Sequence, residues 1–400
     1  MTAWGIGLLV AALAAAAAEL SCRLWIRRRA GYHVWLPGLR LEIHQDPRVF
    51  RQVEPRVRFE VNADGERGGD PGEDPGLYRV LVAGGSSAEC LALDQPTSWP
   101  GALERLLSSP TGLATLGARR VHVGNIGRSG IGSRQLDLIL EHVLPRYRHL
   151  DAVVIMVGAS DILRWLEEGA PLSLGPAPEV EDVFSSHPRQ EFGWTPRGSA
   201  LWELARRLRR RWLRPVEVRE QAGAWMIDAR RMRAEARETR DTAPDPSLLL
   251  DTFDHHFRGL LRRAQVYAGR VLVARQPWFD RDPTPEESAL FWHGGVGKAW
   301  KQTLTVFYSQ DVLDHLMGLL DARAAAIADQ LGIQHLDLRP ILTPGLEHYF
   351  DAFHYTPQGA GVVARAVAAA LLGPWPARRR NPRVASPPRP APATATAQRG

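Results

Sequence analysis

Arg79-Val80-Leu81-Val82-Ala83-Gly84-Gly85-Ser86-Ser87 decides the fold. A short apolar run stops at two glycines and two serines, which reads as a strand running into a tight loop. The same pattern recurs downstream. Arg120-Val121-His122-Val123 leads to Asn125-Ile126-Gly127, and Asp151 to Val157 leads to Gly158. The Asp151–Val157 run is apolar almost throughout, as a strand covered on both faces must be. Arg270 to Ala274 is a fourth strand and Gln334 to Leu338 a fifth. Helical spacing of apolar residues falls between them, over Trp99–Leu107, Ser133–Leu144 and Val312–Leu331. Strands alternating with helices predict an α/β fold: a five-stranded parallel sheet with crossover helices.

In such a sheet, ligands bind outside the carboxyl ends of the strands. Small and polar residues gather at three of these ends: Gly84 to Ser87, Asn125 to Gly130, and Gly158-Ala159-Ser160-Asp161. Near the end of the domain comes Asp351-Ala352-Phe353-His354. A serine on a glycine turn presents its hydroxyl at the sheet edge, and a histidine can take and return its proton. Asp351 precedes His354 by three residues, so on a helical turn the two share a face and the carboxylate orients the ring. The backbone amides of Ser86 and Gly130 are candidate oxyanion donors. Each signal is weak alone; their order after successive strands gives them weight.

The chain resembles the SGNH hydrolases, also called GDSL esterases and lipases. Ala83-Gly84-Gly85-Ser86-Ser87 matches the block carrying the nucleophile, Asn125 to Gly130 the block whose glycine amide lines the oxyanion hole, and Asp351 with His354 the last block. The resemblance covers about residues 79–372. It implies a flavodoxin-like three-layer α/β/α sandwich, Ser86, Asp351 and His354 as catalytic residues, Ser86, Gly130 and Ser160 as the oxyanion hole, an acyl-serine intermediate, and neither cofactor nor metal. Two positions depart from the family pattern. Gly85 stands where many members have aspartate, and Ser160 stands where the family's third block has an asparagine whose amide donates to the oxyanion. A lost donor of this kind costs on the order of 10²–10³ in rate.

The implied activity is carboxyl-ester hydrolysis, with O-deacetylation of an envelope or exported polysaccharide as the preferred substrate. An O-acyltransferase using the same serine and a catalytically weak glycan-binding scaffold in a surface-polymer assembly system stay open. Arg275, Trp278, Trp292 and His293 follow the fourth strand and are candidate substrate-binding residues for an acylated carbohydrate or lipid.

The remainder of the chain is assigned by composition. Residues 1–29 hold a run of apolar residues marred by Glu19, marginal for the about 20 residues a span needs. They read as a single-pass membrane anchor; a cleaved signal peptide and a buried helix are the rivals. Arg23 and Arg27 to Arg29 after the run favour a cytoplasmic domain, whereas the resemblance favours an extracytoplasmic one. Residues 30–78 form a lead-in with short strands, 79–373 the hydrolase domain, 164–261 a helical insertion within it, and 374–400 a disordered tail. In the insertion, Leu201–Leu213 is a basic amphipathic helix and Glu220–Arg240 a polar one; both are expected to pack over the domain. The net charge of +6 resides almost wholly in arginine, in short runs, without any nucleic-acid-binding motif. Cys22 and Cys90 call for no disulfide bridge.

Overall fold

The computed structural model describes residues 2–29, 31–50, 52–188, 198–213 and 215–374. Apart from Pro374, the tail expected from residue 374 lies outside them. The strands, in chain order, are β1 (Arg40–Gln45), β2 (Arg56–Glu60), β3 (Leu77–Gly84), β4 (Arg120–Asn125), β5 (Leu150–Met156), β6 (Glu217–Ala222), β7 (Glu238–Arg240), β8 (Ala268–Arg275), β9 (Val306–Tyr308) and β10 (Gln334–Asp337). The helices are α1 (Ala3–Arg29), α2 (Ser86–Glu89), α3 (Trp99–Leu107), α4 (Pro110–Leu116), α5 (Ser133–Val143), α6 (Ala159–Glu167), α7 (Val180–Val183), α8 (Ala200–Leu213), α9 (Trp225–Ala234), α10 (Ser247–Tyr267), α11 (Pro285–Ser288), α12 (Gln310–Gln330) and α13 (Pro357–Leu372).

Five strands form one sheet in the order β10-β8-β5-β3-β4, and every neighbouring pair is parallel. This is the flavodoxin-like order. Helices α3 and α13 pack together, while α10 packs against α5 and α12. The central strands are therefore covered twice, and Val153, Val154 and Ile155 are wholly buried. The chain leaves β3 first toward β4 and later returns to β5 on its other side. The loops after β3 and β5 thus diverge and open a crevice at their carboxyl ends.

Helix α10 corrects one boundary. It falls largely inside the 164–261 insertion read from the sequence, yet Leu249, Phe253, Phe257, Leu260 and Leu261 are buried in the main core. It is the crossover between β5 and β8, because a parallel pair needs such a connection. The polar helix expected over Glu220–Arg240 is also broken up: β6, α9 and β7 share that stretch.

β6 joins the lead-in instead of lying over the domain. It pairs parallel with β1, and β1 pairs antiparallel with β2. Leu41, Ile43, Val57 and Phe59 alternate inward to make a small second core. A buried polar knot fastens this lead-in to the sheet: Glu66 accepts from Tyr147 at 2.5 Å, Arg79 at 3.0 Å and Asn62 at 3.1 Å, and lies 2.8 Å from His122.

Helix α1 contains a 23-residue apolar stretch, Trp4–Ile26, long and apolar enough to cross a bilayer. Helix α8 is not packed over the domain as expected; it packs on α1. Glu19 explains the pairing. Its carboxylate accepts hydrogen bonds from the Ala200 and Leu201 amides and the Ser199 hydroxyl, filling donors that a helix start leaves open. Trp202 and Trp212 on α8 remain 74% and 83% exposed.

Candidate active site

β3 delivers Ser86 through a turn that only glycine can make. A Cβ on Gly84 would fall 1.9 Å from the Met156 carbonyl oxygen of β5. Gly85 N–H donates to that same carbonyl at 3.2 Å, and α2 starts at Ser86. Ser86 is half-buried, at the mouth of the crevice.

The other half comes from the loop before α13. Asp351 and His354 lie on a non-helical turn, not on the helical turn the spacing suggested. The turn is closed by the aspartate itself: its Oδ1 accepts from the amides of Phe353 and His354, both at 2.9 Å. His354 Nδ1 lies 2.8 Å from Asp351 Oδ2, and His354 Nε2 lies 2.8 Å from Ser86 Oγ. With the Nδ1 proton held by the carboxylate, the Nε2 lone pair faces the serine hydroxyl. Asp351 is buried and His354 is nearly so. Burial disfavours charge on both groups, but their mutual attraction prevails. Asp351 is held well below the usual carboxylate range, and His354 is raised above 6.5.

The candidate oxyanion donors sit around Ser86. Gly130 has φ +75°, a backbone shape that disfavours any side chain. Its amide donates to no acceptor among the described residues, and neither does that of Ser86. The Arg128 amide donates to the Gly84 carbonyl at 3.1 Å and holds the second loop against the first. Ser160 lies in the first turn of α6, and its Oγ would be 3.2 Å from a Cβ on Gly85. That hydroxyl makes no hydrogen bond among the described residues, which leaves it available. Asp161 faces elsewhere: it accepts from the amide and hydroxyl of Ser133, joining α6 to the start of α5. Burial pushes its carboxyl up to about 6.

The four candidate substrate-binding residues divide. Arg275 is tied up, with Nε donating to Asp321 at 2.7 Å and Nη2 3.3 Å from Asp337. Trp278 is buried, with the Arg339 guanidinium 5.0 Å from its ring centre. His293 is 2% exposed, wedged between Trp292 and Phe353, and burial pulls it down to about 3. These three are corrections. Arg275 ends β8 and the other two follow it before α12, and each is enclosed or held by neighbouring side chains. Trp292 remains at the site in a different capacity, since its indole N–H donates to Asp351 Oδ2 at 3.1 Å. From Trp292 an aromatic file runs outward through Trp225 (4.7 Å) to Trp300 (5.6 Å further), which is 47% exposed.

Sequence reasoning missed Gln276, although it directly follows Arg275. Its Nε2 donates to Ser87 Oγ at 2.9 Å, its Oε1 accepts from the Ala159 amide at 3.1 Å, and Ser87 Oγ in turn donates to the Phe353 carbonyl. One amide side chain thus links the loops that carry Ser86, Ser160 and His354. Arg67 and Glu89, both buried beneath the site, were missed as well. Nothing local distinguishes these three from ordinary surface polar residues.

His293, Asp351 and His354 are the one trio of potential metal ligands close together among the described residues, within 4.8 Å. A cation there would compete with the Asp351–His354 hydrogen bond, and every Asp351 oxygen already has partners.

No protein-family model and no curated protein sequence matches the chain. Solved structures with a similar arrangement include an acetylxylan esterase from Geobacillus stearothermophilus, at 15% identity and TM-score 0.40, covering 76% of this chain and 97% of that one. An α/β hydrolase from the metagenome of Lake Arreo matches at 12% identity and TM-score 0.40, covering 74% and 97%. A member of the lipolytic G-D-S-L family from Veillonella parvula matches at 11% identity and TM-score 0.38, again covering 74% and 97%. At these scores the likeness adds no weight to the fold, which rests on the sheet order and the site on its own geometry.

Proposed function

We propose that this chain is a serine ester hydrolase of the SGNH type, working through an acyl-serine intermediate. The carrying observation is the unbroken hydrogen-bond chain from Ser86 Oγ through His354 to Asp351. It has the elements of nucleophile, base and orienting carboxylate, assembled from opposite ends of the domain.

In the first half-reaction, Ser86 Oγ attacks the ester carbonyl carbon while its proton passes to His354 Nε2. Asp351 stabilises the imidazolium that forms. The negative charge growing on the carbonyl oxygen is met by the amides of Ser86 and Gly130 and by the Ser160 hydroxyl. The tetrahedral species collapses, the C–O bond to the alcohol breaks, and His354 returns the proton to the departing oxygen. Water then attacks the acyl-serine with His354 as base, releasing the carboxylic acid and restoring Ser86. All of the proton transfers run through His354.

The substrate is an acylated carbohydrate, with O-acetyl the preferred acyl group. The aromatic file Trp292–Trp225–Trp300 beside the triad supports it, because aromatic faces suit the apolar faces of sugar rings. The length and composition of Trp4–Ile26 support an N-terminal membrane anchor. Nucleic acid is not a partner in this reading.

A fluorophosphonate probe, which labels activated serines covalently, tests the proposal. The folded protein is expected to be labelled at Ser86 and the Ser86→Ala variant not at all. Folded wild-type protein that stays unlabelled would leave the chain a binding scaffold.

A further inference from the structure

Helix α2 carries more than the nucleophile. Glu89 is the last residue of α2, 1% exposed, and the hydroxyl of Ser129 donates to its carboxylate. Ser129 immediately precedes Gly130. With its hydroxyl held, Ser129 is tied to α2, which restrains the peptide leading into Gly130. The other side of Gly130 is held too, because its carbonyl accepts from Arg164 Nη1 at 3.1 Å. The candidate oxyanion amide is therefore fixed from both sides.

Helix α2 is itself immobilised from below. Arg67, buried in the lead-in, donates through Nη1 to the carbonyls of Glu89 and Cys90 at 2.7 and 2.8 Å, and through Nη2 to that of Leu93 at 2.6 Å. Its backbone also exchanges hydrogen bonds with Asn125 of β4. Asn125 Nδ2 reaches back to the Ala88 carbonyl at 2.8 Å, and its Oδ1 accepts from Gly127. Nucleophile helix and oxyanion loop are thereby built as one piece.

We infer that Glu89 is a positioning residue that aims the Gly130 amide at the oxyanion, by holding Ser129 from the helix that presents Ser86. The inference rests on the hydrolase reading above. It assigns Glu89 no contact with substrate and no proton to transfer. It matters in the transition state because a hydrogen-bond donor is effective there only when it is aimed before the charge develops.

Three variants measured with p-nitrophenyl acetate test it. Glu89→Ala is expected to lower kcat at least tenfold with KM changed less than threefold. Glu89→Gln keeps an acceptor for Ser129 and is expected to recover kcat to within about fivefold of wild type. Ser129→Ala loses the hydroxyl bond to Glu89 and is expected to be about as slow as Glu89→Ala; it also reports should Glu89→Ala fail to fold. Glu89→Gln as slow as a folded Glu89→Ala would overturn the inference, because charge and not the bond to Ser129 would then matter. So would Glu89→Ala or Ser129→Ala at the wild-type kcat. A wild-type chain that neither hydrolyses the ester nor reacts with fluorophosphonate removes the hydrolase reading, and this inference falls with it; an active wild type with indifferent variants removes the inference alone.

Discussion

The Nε2 of His354 lies 2.8 Å from the hydroxyl oxygen of Ser86, across 268 positions of chain. β3 brings the serine to the sheet edge, and the loop before α13 brings the imidazole to meet it. This distance is short enough for direct proton transfer without an intervening water. His354→Ala is therefore expected to abolish p-nitrophenyl acetate cleavage while the far-ultraviolet circular dichroism stays that of the wild type. Cleavage surviving in that variant would mean that another group is the base.

The attraction between Asp351 and His354 sets the direction of the pH profile. His354 must be neutral to accept a proton, and its pKa lies above 6.5. The acid limb of kcat/KM should accordingly have its midpoint above 6.5. Asp351→Asn removes the attraction and leaves the burial, so the midpoint should move down, with kcat lower by on the order of 10³–10⁴. Stability takes opposite signs for the two groups. The depressed Asp351 contributes above the ordinary carboxylate pKa and loses that contribution as pH falls; the raised His354 contributes below 6.5 and loses it as pH rises. A midpoint unmoved by Asp351→Asn would show the pair uncoupled.

Ser160 presents a short hydroxyl where a longer amide reaches further. Ser160→Asn is expected to match or exceed wild-type kcat, since a donor that reaches the oxyanion directly is worth up to the order of 10². Steady-state kinetics on the same ester will tell. A collapse in kcat would assign the hydroxyl a specific task that an amide cannot perform.

Gln276 joins three loops through two buried hydrogen bonds. Gln276→Ala leaves the Ser87 hydroxyl and the Ala159 amide short of a partner, at roughly 1–3 kcal/mol of stability. Because both loops line the crevice, kcat should fall about tenfold as well. Chemical denaturation and kinetics together check the pair of effects; a loss of stability with kcat intact would make Gln276 scaffolding only.

Arg67 is wholly buried, and its guanidinium serves three carbonyls. Arg67→Ala strands those carbonyls under the site and should destabilise the domain by roughly 3–5 kcal/mol, a large part of the 5–15 kcal/mol that a domain has. Urea unfolding measures it. A change below about 1 kcal/mol would show that water replaces the guanidinium without cost.

Much of this was legible in the linear chain. Val80 to Ala83 and Val153 to Ile155 read as doubly covered strands because burial on both faces leaves no polar alternation, a pattern written in consecutive residues. Ser86, Gly130, Asp351 and His354 were legible because each follows a strand or precedes a helix in a short recognisable block. Helix α10 was misplaced for a related reason. Its apolar stripe of Phe253, Phe257 and Leu260 is as clear as any, but a stripe does not say which surface it covers.

The sequence by itself determined the parallel sheet, the order of its loops and the presence of a hydroxyl, an imidazole and a carboxylate among them. These follow from short-range rules: apolar runs make buried strands, and glycines make the turns that end them. Only the tertiary structure decided which polar residues at those loops face the crevice. Arg275 found Asp321, His293 was enclosed by Trp292 and Phe353, and Gln276 reached Ser87 across 189 positions. A side chain's direction and its partner's location depend on packing between segments far apart in the chain, and no local pattern encodes them.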